Sequence, residues 1–436
     1  MAGDSVTVHG IGAGGVGVGR LGDGKVVFLS RTAPGDVVKV RLTQEKPRWA
    51  RGEVLEWLKK GPGRRSPPCI RFAQCDGCAL QHLDYARQLE WKGRLVGETL
   101  RRVGRLDTPD PPVVASPCEF RYRNKVTFTL RRLPGGRIVA GFREMARPSR
   151  VLDVGPECLL PEEILSATWE GLRASWGAGA ELLPAGRELR LTLRRGAEKV
   201  GLLIRGGKGP GNPEALLGSV PTLGSIWKEG KGSKTSHLAG ERALAVRAGP
   251  ESLRLEGAGF LQVNEEASRL LFDYVLSQVG EPQGKRIIDA YCGVGALGRS
   301  LARAGGVVVG IETDPLPPNL APSGDGLGFR VVTGLVEEEL GAQLPADIVI
   351  LNPPRAGLSA SVPETLGAQA PPTVVYVSCD PATLARDLNR MEEMYRVESV
   401  KSFDLFPQTG HIETVATLKS TADPGGAAGA RSQDQV

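Results

Sequence analysis

From Gly284 onward, short apolar runs alternate with helical stretches, an order that suits a parallel sheet flanked by helices. Lys285-Arg286-Ile287-Ile288-Asp289-Ala290 reads as a buried strand, Tyr291 to Gly298 as a glycine loop, and Arg299 to Ala304 as the start of a helix. A second strand, Val307-Val308-Val309-Gly310-Ile311, ends in Glu312, 23 residues beyond Asp289. Gly293, Gly295 and Gly298 satisfy G-x-G-x-x-G, a loop that lets a nucleotide cofactor approach the backbone while the later acid binds ribose hydroxyls. Alone, this motif is weak and suits a nicotinamide or flavin enzyme.

The next strand argues against a dehydrogenase. Asp347-Ile348-Val349-Ile350-Leu351 runs into Asn352-Pro353-Pro354-Arg355. A proline pair at such a strand end fixes a rigid shelf beside the methyl group of S-adenosylmethionine, and Glu312 then grips that cofactor's ribose. Enzymes that methylate exocyclic amines also carry Asn-Pro-Pro but want an aromatic residue next, where this chain has Arg355. Downstream, Cys379 follows the apolar run Val374-Val375-Tyr376-Val377, and Glu413 lies 34 residues beyond it, in Gly410-His411-Ile412-Glu413-Thr414. A cysteine at a strand end with a later carboxylate is what activation of an electron-poor ring for carbon alkylation requires. A lowered thiol pKa is expected there, because thiolate and not thiol is the nucleophile.

The chain of 436 residues is long enough for two or three domains. It has no apolar run of membrane-spanning length and no signal-peptide pattern at its start, so a cytoplasmic protein is expected. Charge is unevenly spread. Residues 1–160 hold 28 Lys and Arg against 16 Asp and Glu, and the remainder holds 27 against 33. A basic front on a mildly acidic body points to a polyanion, most simply nucleic acid.

Residues 1–60 read as short strands punctuated by glycine, with a turn at Pro34-Gly35-Asp36, the spacing of a small oligonucleotide-binding barrel. The run from Gly10 to Gly19 is turn chemistry, since no Gly-Lys-Ser/Thr follows. Asp84 to Val103 is expected to be an amphipathic helix with Tyr85, Leu89, Trp91, Leu95 and Leu100 on its apolar side. Phe120-Arg121-Tyr122-Arg123-Asn124-Lys125-Val126 interleaves aromatics with bases, as in a strand that contacts RNA.

Seven cysteines do not make a disulfide scaffold in a chain of this size. Cys69, Cys75 and Cys78 form C-x5-C-x2-C, and the fourth ligand is Cys118 or Cys158. Four thiolates hold zinc or an iron–sulfur cluster. With one C-x2-C arm where zinc sites usually have two, a [4Fe-4S] cluster is favoured.

Together these motifs resemble the RNA uracil-5-methyltransferase family, in its large-subunit ribosomal RNA branch, over nearly the whole chain. The resemblance rests on Pro34-Gly35-Asp36, the cysteine loop, Phe260-Leu261-Gln262-Val263-Asn264, Asp289 to Gly295, Asn352 to Arg355, Tyr376 to Leu388 and Phe406 to Glu413. It implies a multidomain α/β protein: a TRAM-like, OB-like barrel at 1–60, a central α+β iron–sulfur and RNA-binding domain at 61–255, and a Rossmann-like class I methyltransferase domain at 256–420; the tail at 421–436 has too few apolar residues to pack and is expected to be disordered. It also implies cluster ligation by Cys69, Cys75, Cys78 and Cys158, and cofactor binding by Gln262, Tyr291, Gly293, Gly295, Glu312 and Asn352. Cys379 is then the nucleophile and Glu413 the base, acting on an unpaired or flipped uridine of ribosomal RNA, or alternatively of transfer RNA, with the protein a monomer.

Two positions depart from the family pattern: Asn352 stands where Asp is usual, and Asp380 where Asn is usual. They read as an exchange that keeps one carboxylate and one amide in the site, so Asn352→Asp alone should lower activity and adding Asp380→Asn should restore it. A small-molecule methyltransferase and an inactive RNA-binding protein on the same fold are the competing classes.

Overall fold

The computed structural model describes residues 4–314 and 328–422, apart from positions 231, 233, 250, 258 and 260. Phe260 and the tail from residue 423 on lie outside the described residues.

Residues 4–59 close into a five-stranded barrel in the order Asp4–Gly12, Val16–Arg20, Val26–Leu29, Trp49–Lys59, Val37–Glu45. Strand alternation puts Val6, Val8, Val27, Leu29, Val38 and Val40 in its interior. The buried Asp36 of the Pro-Gly-Asp turn accepts from Ala33 N and Gly61 N and pairs with Arg64 at 2.9 Å, which fastens the chain as it leaves the barrel.

The central sheet has seven strands, in the order Thr235–Gly240, Leu223–Glu229, Val200–Arg205, Glu188–Arg195, Lys125–Arg132, Ile138–Arg143, Val151–Asp153. In Glu188–Arg195, Leu189, Leu191 and Leu193 go into the core beneath the helix Glu163–Ser175, where Trp169 stacks on Phe128 with ring centroids 3.9 Å apart. Arg190, Thr192 and Arg194 therefore line the opposite face, along a groove shared with Lys125, Thr127 and Arg205.

The C-terminal sheet places five parallel strands, Phe329–Thr333, Val307–Glu312, Arg286–Ala290, Ile348–Leu351 and Thr373–Ser378, beside the antiparallel Glu413–Ser420 and Tyr395–Phe403. Its last strand is Val113–Val114, and Val96 and Leu100 of the helix Tyr85–Arg102 lie in its core. The stretch 85–114, expected in the central domain, thus packs with the C-terminal one. A boundary drawn at 256 misses this because the pairing joins segments almost 300 residues apart.

That helix also buries a different face from the one its apolar residues suggest. Gln88, Lys92, Val96 and Leu100 are buried at spacings of four, while Leu89, Trp91 and Leu95 are only partly covered. The cause is a polar partner. Lys92 Nζ donates to Asp404 Oδ1 at 2.6 Å and to the Phe406 carbonyl at 3.1 Å, with the Lys92 and Asp404 side chains 3% and 0% exposed. Removing one member of such a pair strands the other charge, so Lys92→Met is expected to lower the unfolding free energy by ~3–5 kcal/mol. Lys39→Met, whose pair with Glu56 is exposed, should cost under ~1 kcal/mol. Denaturant unfolding of both variants checks this, and equal losses would contradict it.

Among the described residues, no helix is long and apolar enough to cross a membrane.

Candidate active site

The strand Arg286–Ala290 delivers Asp289 to the glycine loop fully desolvated. Its Oδ2 accepts from Gly298 N at 3.1 Å, and burial pushes its pKa up to about 7. Tyr291 follows with φ +62°, a left-handed conformation that is rare for an aromatic residue and turns the chain sharply at the sheet edge. Gly295 caps the helix Ala296–Arg303 at φ +73°, and a Cβ there would stand 2.9 Å from the Phe329 ring. At Gly293, φ +56°, a Cβ would meet no atom of the described residues within 4 Å. Glu312 closes the next strand, accepting from Gly293 N at 2.8 Å and from Thr313 N at 2.9 Å, so the acid and the glycine loop form one unit. Asn352 is exposed at the end of the adjacent strand, and Asn124 Nδ2 holds the Gln262 carbonyl at 3.1 Å. An adenosyl amino acid fits this edge: a glycine cradle, a carboxylate for ribose hydroxyls, and an aromatic ring beside them.

Cys379 and Glu413 meet through sheet register. Thr373–Ser378 pairs antiparallel with Glu413–Ser420, Ser378 opposite Thr414, so the next residue of one strand and the first of the other are neighbours. Ser378 Oγ accepts from Asp380 N at 3.2 Å, turning the chain around Cys379. Burial first and the charge of Glu413 second raise the thiol pKa above its ordinary value, against the opposing effect of Arg355, which also hydrogen-bonds it. The direction is opposite to the lowering expected from sequence, because burial desolvates the thiol and Glu413 stands beside it. Glu413 is 4% exposed, and burial pushes its pKa up to about 8 while Arg355 pulls it down.

Arg355 is thus the cation of the site, a role that its motif did not reveal. It donates to His411 Nδ1 at 3.0 Å, and desolvation followed by the Arg355 charge lowers the His411 pKa to about 4, which leaves a neutral ring able to accept that bond. The Phe406 ring meets His411 edge-on at 5.7 Å.

Asp380 has a structural duty besides any charge that it brings to the site, where it acts on His411. Its Oδ1 caps the helix Pro381–Arg390, accepting from Ala382 N at 2.9 Å and Thr383 N at 3.1 Å. Asp and Asn cap about equally well, so Asp380→Asn is expected to change stability by no more than ~0.5 kcal/mol in thermal or denaturant unfolding.

The cysteines sort into two groups. Burial foremost pushes Cys78 up to about 12 and Cys158 up to about 11. Smaller effects of neighbouring thiols connect Cys78 to Cys158 and Cys75, and Cys158 to Cys69 and Cys75, so all four share one neighbourhood. Arg121, at φ +55°, bonds the Cys158 carbonyl at 2.8 Å. Cys118 is exposed and 3.5 Å from Glu266, apart from this group. Among the described residues, no three Cys, His, Asp or Glu side chains close to metal-binding geometry.

The Arg121 to Lys125 stretch is not the RNA-facing strand that its composition suggests. The strand begins at Lys125, Arg121 and Arg123 point inward, and the buried Tyr122 donates to the Pro407 carbonyl at 3.0 Å. A groove lined by Arg190, Arg194 and Arg205, the last paired with Glu229 at 2.6 Å, lies on the central sheet, and its signal was the strict alternation of Leu189-Arg190-Leu191-Thr192-Leu193-Arg194.

Comparison with known proteins gives the family. A family model described as tRNA (Uracil-5-)-methyltransferase matches residues 335–421, which include Cys379 and Glu413, and a TRAM domain model matches 5–55. A Gloeobacter violaceus protein described as an uncharacterized RNA methyltransferase is 34% identical, with 96% of this chain and 97% of that protein covered. The chain belongs to the RNA uracil-5-methyltransferase family. As an S-adenosylmethionine-dependent RNA methyltransferase it has a further relative in Halalkalibacterium halodurans, also described as an uncharacterized RNA methyltransferase, at 31% identity over 95% of this chain and 96% of that one. The fold of this RNA uracil-5-methyltransferase is shared with the Pyrococcus abyssi tRNA (uracil-54, C5)-methyltransferase solved with S-adenosyl-L-homocysteine, at a TM-score of 0.71 and 27% identity, covering 92% of this chain and 96% of that chain.

Proposed function

We propose that Cys379 and Glu413 convert one uridine of a structured RNA to 5-methyluridine, with large-subunit ribosomal RNA the first substrate to test. The observation that carries this reading is the register that sets the thiol beside a buried carboxylate, with Arg355 between them in charge. Carbon 5 of uracil is too poor a nucleophile to take a methyl group unaided. The Cys379 thiolate adds to carbon 6 and breaks the ring double bond, and the electron pair passes to carbon 5 through an enolate. Carbon 5 takes the methyl group of the sulfonium cofactor. Glu413 removes the carbon 5 proton, and the returning electron pair re-forms the double bond and expels the thiolate.

Gln262, Tyr291, Gly293, Gly295, Glu312 and Asn352 form the cofactor edge in this reading. The target base must leave any helix before carbon 6 can be reached. The groove on the central sheet supports a polyanion path to the site. Burial, and then the charges of Arg194 and Arg205, push the Lys125 pKa down to about 8, a crowding of cations that phosphates relieve. Transfer RNA is the second substrate to test, because the Pyrococcus abyssi fold relative is a tRNA enzyme.

Cys69, Cys75, Cys78 and Cys158 fit a [4Fe-4S] cluster better than a single zinc ion, since thiolates on the corners of a cluster need not close on one atom. The cluster would cross-link the loop at 69–78 to Cys158. The enzyme is read as a cytoplasmic monomer.

The test is incubation with S-adenosylmethionine and large-subunit RNA containing 5-fluorouridine. Fluorine cannot leave as a proton, so a covalent protein–RNA adduct carrying one added methyl group is expected in the mass spectrum. If ribosomal and transfer RNA both fail to give it, the reading is wrong.

A further inference from the structure

The loop that leads into Glu413 is braced by parts of the chain outside its own sheet. Successive backbone carbonyls are taken by distant side chains: Leu405 by Asn264 Nδ2 at 3.2 Å, Phe406 by Lys92 Nζ at 3.1 Å, and Pro407 by Tyr122 Oη at 3.0 Å. Gln408 is the densest point. It is completely buried and adopts φ +69°, a backbone conformation that a non-glycine residue keeps only when its surroundings enforce it. Its carbonyl accepts from Ala79 N and Leu80 N, both at 2.9 Å, directly after Cys78. Its backbone N–H donates to Gln88 Oε1 at 3.0 Å. Its Oε1 accepts from Gln88 Nε2 at 2.9 Å and from Arg65 at 3.1 Å, and its Nε2 donates to Glu119 Oε2 at 3.2 Å. Two residues on, the barrel turn presses against Gly410, where a Cβ would stand 2.1 Å from Gly15 N.

We propose that Gln408 is a positioning residue for proton removal: it ties the cysteine loop, the helix Tyr85–Arg102 and Glu119 to the hairpin, and so fixes where Glu413 stands over carbon 5. The proposal rests on the role of Glu413 as base. Cys379 belongs to a different strand and its turn is closed by Ser378, so the clamp bears on proton removal directly and on thiolate addition only through the Arg355–His411 bond and the pairing of Ser378 with Thr414.

The two halves of the reaction are separable. Formation of the methylated adduct on 5-fluorouridine RNA reports the first, and release of tritium from RNA labelled at carbon 5 of uridine reports the second. Gln408→Met removes the side-chain hydrogen bonds at similar volume and is expected to slow tritium release by ~10–100-fold, the effect of a small misplacement of a catalytic group. Adduct formation should stay within about twofold of wild type, and methylated covalent complex should accumulate on ordinary uridine RNA. A second pair guards against a simple folding defect. Gln408→Glu sets two carboxylates side by side and should slow tritium release likewise, whereas Gln408→Glu with Glu119→Gln restores one charge and the same set of partners and should recover it. Equal loss of both steps, unchanged tritium release in Gln408→Met, or no recovery in the double variant would overturn the proposal. A wild-type protein that releases no tritium from ribosomal or transfer RNA would overturn the reaction itself.

Discussion

Cys379→Ala abolishes methyl transfer, with kcat/KM falling at least ~10⁴-fold, because no other group in the site can add to carbon 6. Without that addition carbon 5 never becomes a nucleophile, so cofactor and RNA binding persist while the chemistry stops. The residue sits at a turn, half buried, and makes no core contact that alanine would lose, so the variant should fold as wild type does. It gives no adduct with 5-fluorouridine RNA, whereas RNA retention on a filter is unchanged. An adduct of wild-type yield in Cys379→Ala would remove this residue from the mechanism.

Glu413→Gln stops the reaction one step later. Thiolate addition and methyl transfer proceed, but the carbon 5 proton has no acceptor, so methylated RNA stays bound to the protein and turnover falls by ~10²–10⁴-fold. Denaturing gels should show the covalent complex on ordinary uridine RNA, without fluorine. Free methylated RNA released at the wild-type rate would exclude Glu413 as the base.

The pH dependence follows from the same carboxyl. Burial places its pKa at about 8 in the free enzyme, and a base acts only when ionised, so kcat/KM should rise with pH through about 8. The Cys379 thiol, raised by burial and by Glu413, acts in the same direction. The stability effect has the opposite sign. The folded state holds the Glu413 proton more tightly than the unfolded chain does, so its contribution is present in acid and fades as pH rises through about 8. A rate profile that falls through this range would contradict the assignment.

Much of the chemistry was legible because it is local. The glycines at 293 and 295 stand in left-handed turns that side chains avoid, and a strand-ending acid must stand beside that loop once the sheet is parallel. Cys379 announces itself at a strand end and Glu413 as a later carboxylate, and the barrel follows from short strands and Pro34-Gly35-Asp36. The departures at Asn352 and Asp380 were legible too, but the capping role of Asp380 was not. A helix cap satisfies Asp380, and capping is visible only once the helix start is placed.

What sequence could not show depends on partners hundreds of residues away. Gln88 and Lys92 carry no local signal of burial, and Tyr122 stands in a stretch whose composition suggests RNA contact. Each is buried because the 404–408 loop offers it a carboxylate, an amide or a carbonyl across separations of 320, 312 and 285 residues. The cation Arg355 likewise acquires its place only when two strand-end loops meet. Local pattern tells which atoms can do chemistry, since backbone conformation and strand position are short-range properties. Which polar groups are desolvated, and hence the pKa of Glu413 and the bracing of its hairpin, is set by long-range packing, because desolvation belongs to an environment and not to a residue.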